Sequence, residues 1–304
     1  MSVAALLTSY TVRGVSDVIW NARPSLRRPV LLAAFRGWND AGDAASSAVE
    51  FIRGRFEPSP VARIDPDEFL DFTTVRPTIK LVDGRTRQIE WPDTEIEAVE
   101  VPGAESDLIV LRGVEPSLRW RRYSEGIVEV ARELNAGTVI TLGSLLADVP
   151  HTRPVSITGI ASDQTLVDKL GFEHTSYEGP TGITGVLHHE CAAASIPSVS
   201  LWASVPHYVA AAPNPKVALA LVRAFEGAAG LIVDASELES AEEDYDRQVS
   251  AAVASDPEVK AFVERLESAM DEVSDETVDP DNIPSADTIA RDFQRFLRQC
   301  GPSE

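Results

Sequence analysis

Gly37, Trp38, Asn39 and Asp40 form the first group of residues whose chemistry suits a binding site. They follow the apolar run at 29–35 and precede small residues at helical spacing, so they belong to a strand-to-helix turn, where open α/β sheets bind ligands. Free amides at a helix start attract an anion, whereas the Asp40 carboxylate repels one. The alternative is a tight turn in which Asp40 caps the helix and Trp38 is a packing or interface anchor.

A second polar group follows another predicted strand and contains Asp148, His151 and Arg153, with prolines at 150 and 154 that stiffen the loop. An aspartate and a histidine can act as bases, and an arginine can hold an anion. The same residue types also form internal ion pairs that fix a loop in place. The sequence leaves both interpretations open.

The third group is a glycine-rich loop that includes Glu178, Gly179, Thr181 and Gly182. Glycine allows the backbone to approach a ligand closely, and we expect a helix to begin near Thr181 with that threonine as its cap. Amides at the start of this helix would face a bound ligand. A plain loop and helix cap is the simpler interpretation.

The sequence contains residues of metal-ligand types, but their spacing does not predict a metal site. His188, His189, Glu190 and Cys191 are of ligand types, but neighbours on a helix point in different directions and cannot all reach one ion. We expect Cys191 to be a core residue. The sequence also lacks the dinucleotide-binding, P-loop, nucleophile-elbow and H-E-x-x-H motifs. We therefore predict no catalytic residue, no catalytic metal and no cofactor.

Alternating strand and helix patterns are expected to position these groups. Continuous apolar runs predict buried strands at 29–35, 107–111, 138–142, 155–161 and 198–205. Helical apolar spacing follows most of them, and Asn214 before Pro215 is a strong helix start. Asp83 and Gly84 predict a hairpin turn within 78–91, at a sheet edge. The pattern predicts an α/β fold in which helices cover both faces of a mainly parallel sheet.

Charge divides the chain into two predicted domains, an α/β core at 1–236 and an acidic helical extension at 237–304. The extension holds 19 acidic and 6 basic residues and so carries −13 of the net charge of −21. Its apolar residues recur at steps of three and four, which predicts amphipathic helices that pack together or on the core. The charge argues against nucleic acid and anionic membranes as partners. Two distant cysteines, with no spanning run or signal peptide, predict a cytoplasmic protein.

Six stretches taken together resemble the proteasome assembly chaperone family, in its bacterial, actinobacterial branch and second chaperone type. They lie within about residues 29–230, at 36–42, 65–77, 115–120, 142–154, 177–182 and 201–208. The resemblance implies a three-layer α/β/α core shaped like the nucleoside phosphorylases and hydrolases. It also implies a homo-oligomer, taken as a trimer, and a chaperone-like role with protein partners, among them proteasome subunits.

Two functions from different classes are therefore weighed. The first is a non-enzymatic assembly or chaperone-like factor, which we favour. The alternative is a phosphorylase- or hydrolase-like enzyme or small-molecule binder with a pocket formed by the loops at 37–42, 148–153 and 178–182. Convergence of these loops, with His151 and Arg153 pointing into one pocket, would favour the alternative. We expect oligomer contacts through the α/β core, with Trp38, Trp120 and Trp202 as apolar anchors.

Overall fold

The computed structural model of the chain describes residues 17–162, 178–209 and 212–276. Within these ranges the strands, in chain order, are β1 (Val18–Trp20), β2 (Val30–Arg36), β3 (Ser59–Ile64), β4 (Thr78–Val82), β5 (Thr86–Glu90), β6 (Thr94–Val99), β7 (Leu108–Val114), β8 (Thr138–Ala147), β9 (Ile157–Ala161) and β10 (Ser198–Pro206). The helices are α1 (Ala44–Gly54), α2 (Trp120–Glu133), α3 (Ile183–Ala193), α4 (Pro215–Ala229), α5 (Ser236–Ser255) and α6 (Pro257–Glu276).

A mixed eight-stranded sheet with the order β1-β3-β6-β7-β2-β8-β10-β9 forms the centre of the fold. Strands β7, β2, β8 and β10 are parallel to one another. Three antiparallel strands extend the β7 side, and antiparallel β9 closes the other edge. The predicted α/β fold is confirmed, but the sheet is mixed rather than mainly parallel, because the strands added on either side of the four parallel ones pair antiparallel.

Helices cover both faces of this sheet. Alternate residues of β2 belong to different apolar clusters, because successive side chains of a strand point to opposite faces. Leu32 packs in the cluster that contains α1 and α4 residues, whereas Leu31 packs in the one that contains α2 and α3 residues. This double coverage explains why β2 is apolar along nearly its whole length. It also gives the three-layer α/β/α arrangement.

The predicted hairpin forms, but not at an edge of the large sheet. Strands β4 and β5 make a separate two-stranded sheet, and every residue of both strands is exposed. Asp83 and Gly84 occupy the turn with positive φ values of 52° and 67°, which is the conformation that a two-residue turn requires. The local turn signal was correct. The placement was wrong because the hairpin pairs only with itself.

Two other element predictions need correction. The run at 155–161 was expected to be a buried strand, but β9 begins at Ile157, is only partly buried and pairs antiparallel with β10 at the sheet edge. The helix predicted near Thr181 begins at Ile183. By contrast, the start of α4 is confirmed, since Asn214 Oδ1 accepts a hydrogen bond from the Val217 amide at 3.1 Å, with Pro215 as the first helical residue.

The acidic C-terminal helices α5 and α6 pack on each other and on the core. Val249 and Val253 of α5 and Val263 of α6 share an apolar cluster with Tyr208, which follows β10. Both arrangements left open by the sequence therefore occur together. The further helix expected from the apolar spacing at 286–300 lies outside the described residues.

Candidate functional site

The loop after β2 is built as a capped turn. Gly37 has a φ of 126°, a conformation that favours glycine, and it reverses the chain after the strand. Asp40 is buried, and its Oδ1 accepts hydrogen bonds from the amides of Ala45 at 2.8 Å and Ser46 at 3.1 Å. The predicted capping of α1 by Asp40 is confirmed. Trp38 projects from this loop and is 67% exposed.

The second oxygen of Asp40 has no hydrogen-bond partner among the described residues. Burial disfavours the charged carboxylate and raises the pKa of Asp40 above its usual value. The side chain still retains its acceptor role toward α1. A negative ligand at this helix start would meet Asp40, so the turn is poorly suited to holding an anion.

Asn39 connects this loop to the glycine-rich loop through Glu115. The Asn39 Nδ2 donates to Glu115 Oε1 at 2.6 Å, and the same oxygen accepts from the Ile183 amide at 2.9 Å. Asn39 Oδ1 accepts from the Thr184 hydroxyl at 3.3 Å. Glu115, which directly follows β7, therefore caps α3 and holds the two loops together. Its position after a buried strand is the sequence signal that could have identified it.

The approach of the two loops depends on the absence of a side chain at Gly182. A Cβ at this position would lie 2.1 Å from Asn39 Oδ1. Thr181 is exposed, and its hydroxyl donates to the Gly182 carbonyl at 3.5 Å instead of accepting from an α3 amide. Its predicted role as the cap is wrong, because Glu115 fills that role. Glu178 and Gly179 are exposed before this contact.

The loop after β8 turns toward the C-terminal helices. His151 is buried, and both its amide and its Nδ1 lie within 2.8 Å of the Tyr208 hydroxyl. Its Nε2 is 3.3 Å from the Ser250 hydroxyl of α5. Burial lowers the pKa of His151, which favours the neutral imidazole. His151 thus contacts the segment after β10 on one side and α5 on the other.

Ion pairs also link the loop after β8 to the segment after β10 and to the C-terminal helices. Arg153 pairs with Asp271 of α6 at 2.6 Å, and Asp148 Oδ1 lies 2.9 Å from His207 Nδ1. Lys216 joins the His151 carbonyl to Asp246 of α5, with both distances 2.7 Å. The structure therefore brings together the loops at 37–42 and 178–182, whereas Asp148, His151 and Arg153 make their contacts with the segment after β10 and with α5 and α6.

His188 and Cys191 of α3 have ordinary structural contacts. His188 Nδ1 lies 3.0 Å from the Ser198 hydroxyl, and burial raises the pKa of the Cys191 thiol to about 12. Across residues 17–162, 178–209 and 212–276, no group of three or more acidic, histidine or cysteine side chains is placed to hold a metal ion. Within the same ranges, none of the helices combines the length and hydropathy of a membrane span.

Comparison with known proteins gives consistent matches. The profile of the PAC2 family matches residues 34–253. A crystal structure of a proteasome-assembly chaperone homologue from Mycobacterium tuberculosis is 42% identical, with a TM-score of 0.72, over 77% of this chain and 99% of that one. A PAC2 family protein from Streptomyces avermitilis is 43% identical, with a TM-score of 0.73 and the same coverage.

A more distant structure shares the fold. Pyrococcus furiosus PbaB, an archaeal proteasome activator, has 15% identity and a TM-score of 0.62, over 77% of this chain and 97% of that one. At this identity the likeness concerns the fold alone. No curated protein matched the sequence.

Proposed function

The chain belongs to the PAC2 family, and from this premise we propose that it is a non-enzymatic assembly or chaperone-like factor that acts through protein contacts. Its partners are proteasome subunits, and it works in the cytoplasm. The observation that carries the proposal is the identity of 42% to a proteasome-assembly chaperone homologue over nearly the whole of that protein. PbaB, whose fold this chain shares, is a proteasome activator.

The use of the polar residues at the strand ends supports this choice over an enzyme. Glu115 accepts hydrogen bonds from Asn39 and the α3 amide, and Arg153 is engaged by Asp271. A carboxylate that acts as a base, or an arginine that holds an anion, must have access to the substrate, whereas both groups are occupied in internal contacts. Their arrangement favours a scaffold that fixes loops and helices.

The β4–β5 hairpin supports action through protein contacts. Ile79 and Ile89 are directly opposite in the hairpin, and Leu81 lies on the same face. All three are more than half exposed, while the other face carries the ion pair between Lys80 and Glu90. Clustered exposed apolar side chains are typical of protein interaction surfaces. We assign this apolar hairpin face to contact with a proteasome subunit.

Co-purification from the native cells tests the proposal. Tagged wild-type protein should enrich proteasome subunits over a mock purification, and the double variant Ile79→Ser, Ile89→Ser should lose most of that enrichment. Lys80→Gln, on the opposite face of the hairpin, is the matched control and should retain it. A wild-type purification without enriched proteasome subunits would contradict the proposed partner. A change of oligomer size in the double variant would assign the face to self-association.

We also propose a homo-oligomer, taken as a trimer, formed mainly through the α/β core. Trp38 is the most suitable of the three expected anchors because it is largely exposed. Trp120 and Trp202 are half-buried and donate their indole N–H groups within the chain, to the Pro116 carbonyl and the Ser200 hydroxyl. Light scattering at micromolar concentration should give a multiple of the 32.9 kDa chain. A monomer would contradict this proposal.

A further inference from the structure

An open cavity of about 360 Å³ lies at the carboxyl ends of β2 and β7. Arg36 and Gly37 border it where β2 ends, and Val114 borders it where β7 ends. Arg76 and Trp91, which flank the hairpin, complete the side facing β4 and β5. A volume of this size is within the range of small-molecule sites, roughly 300–1,000 Å³.

The position of the cavity in the sheet is one that favours ligand binding. Strands β2 and β7 are parallel neighbours, so their carboxyl ends meet at the same edge. The chain leaves β2 for α1 on one face of the sheet, and it leaves β7 for α2 on the opposite face. The order of connections therefore reverses between these two strands, and the cavity lies between their ends and the segments that flank the hairpin. Open α/β sheets bind ligands at such switch points.

The charged residues that border this cavity favour an anionic ligand. The guanidinium groups of Arg36 and Arg76 have no hydrogen-bond or ion-pair partner among the described residues. Glu90, which also borders the cavity, is engaged by Lys80 at 2.7 Å. By contrast, the guanidinium of Arg112, on β7, is neutralised by ion pairs with three glutamates. Two unneutralised guanidinium groups at one cavity are notable in a chain with a net charge of −21.

Trp91 adds an apolar surface beside the arginines. Its ring is half exposed, and Phe72 packs against it edge to face, with ring centroids 5.0 Å apart. This contact restricts the orientation of the indole before any ligand arrives. A planar or apolar ligand group can lie on the open side of the ring while an attached anion reaches the arginines.

We propose that this cavity binds a small molecule that carries an oxyanion, a carboxylate or a phosphate, on a planar apolar group. Arg36 and Arg76 hold the oxyanion, since guanidinium groups match both oxyanions in geometry and charge. Trp91 receives the planar group. The net charge of the chain disfavours polyanions, which leaves a small ligand with one oxyanion as the occupant. This binding site is independent of the assembly function proposed above.

Calorimetric titration of the full chain at constant ionic strength tests the site. Phenyl phosphate and benzoate are the probes, and they separate the two oxyanion sources; phenol is the neutral analogue. Saturable binding is expected for at least one anion and not for phenol. Each of Arg36→Gln and Arg76→Gln should raise the Kd about tenfold, as the loss of one charge-assisted contact implies. Trp91→Leu should weaken binding as well.

Arg121→Gln is the matched control. Arg121 is an exposed arginine of α2 that does not border the cavity, so its replacement changes the net charge equally and should leave the Kd unchanged. Because Arg36 and Arg76 are exposed, their variants should keep the wild-type melting temperature. Absence of saturable binding for both anions would overturn the proposal. Wild-type affinity in the two arginine variants, or equal weakening by Arg121→Gln, would overturn it too.

Discussion

At the scale of single residues, Gly182 has the sharpest steric requirement. An added Cβ would lie 2.1 Å from Asn39 Oδ1, and Asn39 is buried and held by Glu115. Gly182→Ala should therefore lower the free energy of unfolding by about 2 kcal/mol, as overpacking in a tight site does. Urea unfolding would measure it.

Gly227→Ala is the matched control for this substitution. Gly227 lies inside α4, and no atom is within 4 Å of an added Cβ. Alanine should raise the free energy of unfolding there by about 0.5–1 kcal/mol, because glycine is a poor helix former. Equal effects of the two substitutions would contradict the role assigned to the contact between Gly182 and Asn39.

The Asp40 side chain stabilises the start of α1, but burial of its negative charge is unfavourable. Asp40→Ala removes the acceptor for two amides and should cost about 1–2 kcal/mol. Asp40→Asn keeps an acceptor oxygen and should cost less at neutral pH. Chemical unfolding of both variants at several pH values would measure the difference.

The pH dependence of the Asp40 variants has a defined sign. Burial raises the folded-state pKa of Asp40, so its stabilising contribution is present below the unfolded-state value and is lost as the pH rises through the folded value. The stability of Asp40→Asn relative to wild type should therefore increase as the pH rises from about 4 to 7. A constant difference across this range would contradict the buried charge.

At the scale of elements, His151 couples α5 to the core in a pH-dependent way. Burial lowers its folded-state pKa, so the stability that it contributes is present above the unfolded-state value of about 6.5 and is lost as the pH falls through the folded value. Acidification from pH 7.5 to 5.5 should destabilise the wild type. His151→Gln should reduce this pH dependence in urea unfolding.

The pH dependence assigned to His151 depends on its charged neighbours and is checked with a second histidine as control. Asp246 and Glu267 raise the pKa of His151 and Lys216 lowers it, but burial has the largest effect. His189 is exposed, so His189→Gln should keep the wild-type pH dependence. Hydrogen exchange should place the acid-induced loosening in α5. Unchanged exchange there would contradict the role of His151.

At the scale of the whole molecule, the acidic helices are attached to the core by charge and by apolar contact. Arg55 pairs with Glu237, and Arg223 with Glu239, which tie the start of α5 to α1 and α4. The cluster around Tyr208 adds apolar burial farther along α5 and α6. The family match also continues into α5, to residue 253.

Truncation tests the predicted division at residue 236. A chain that ends near Asp234 loses α5 and α6 and exposes Tyr208, His151 and the apolar residues beside them. We expect this chain to unfold at lower urea concentration and to aggregate. A chain that ends at 276 keeps both helices and is the matched control. A soluble short chain with an unchanged unfolding midpoint would establish the helices as an independent unit.

The sequence by itself determined the fold class, two helix caps and the hairpin turn. Apolar runs identified β2, β7, β8 and β10, and short-range patterns identified the caps at Asp40 and Asn214 and the turn at Asp83. These features depend on residues close together in the chain, so periodicity and turn chemistry are sufficient to predict them.

Only the tertiary structure decided which loops meet. Glu115 caps a helix whose amide is 68 residues away, and Arg153 pairs with an aspartate 118 residues away. Such pairings depend on strand order and on the face to which each connection turns, and local patterns do not encode either. Two predicted site loops therefore converge on Glu115, while the third holds the C-terminal helices.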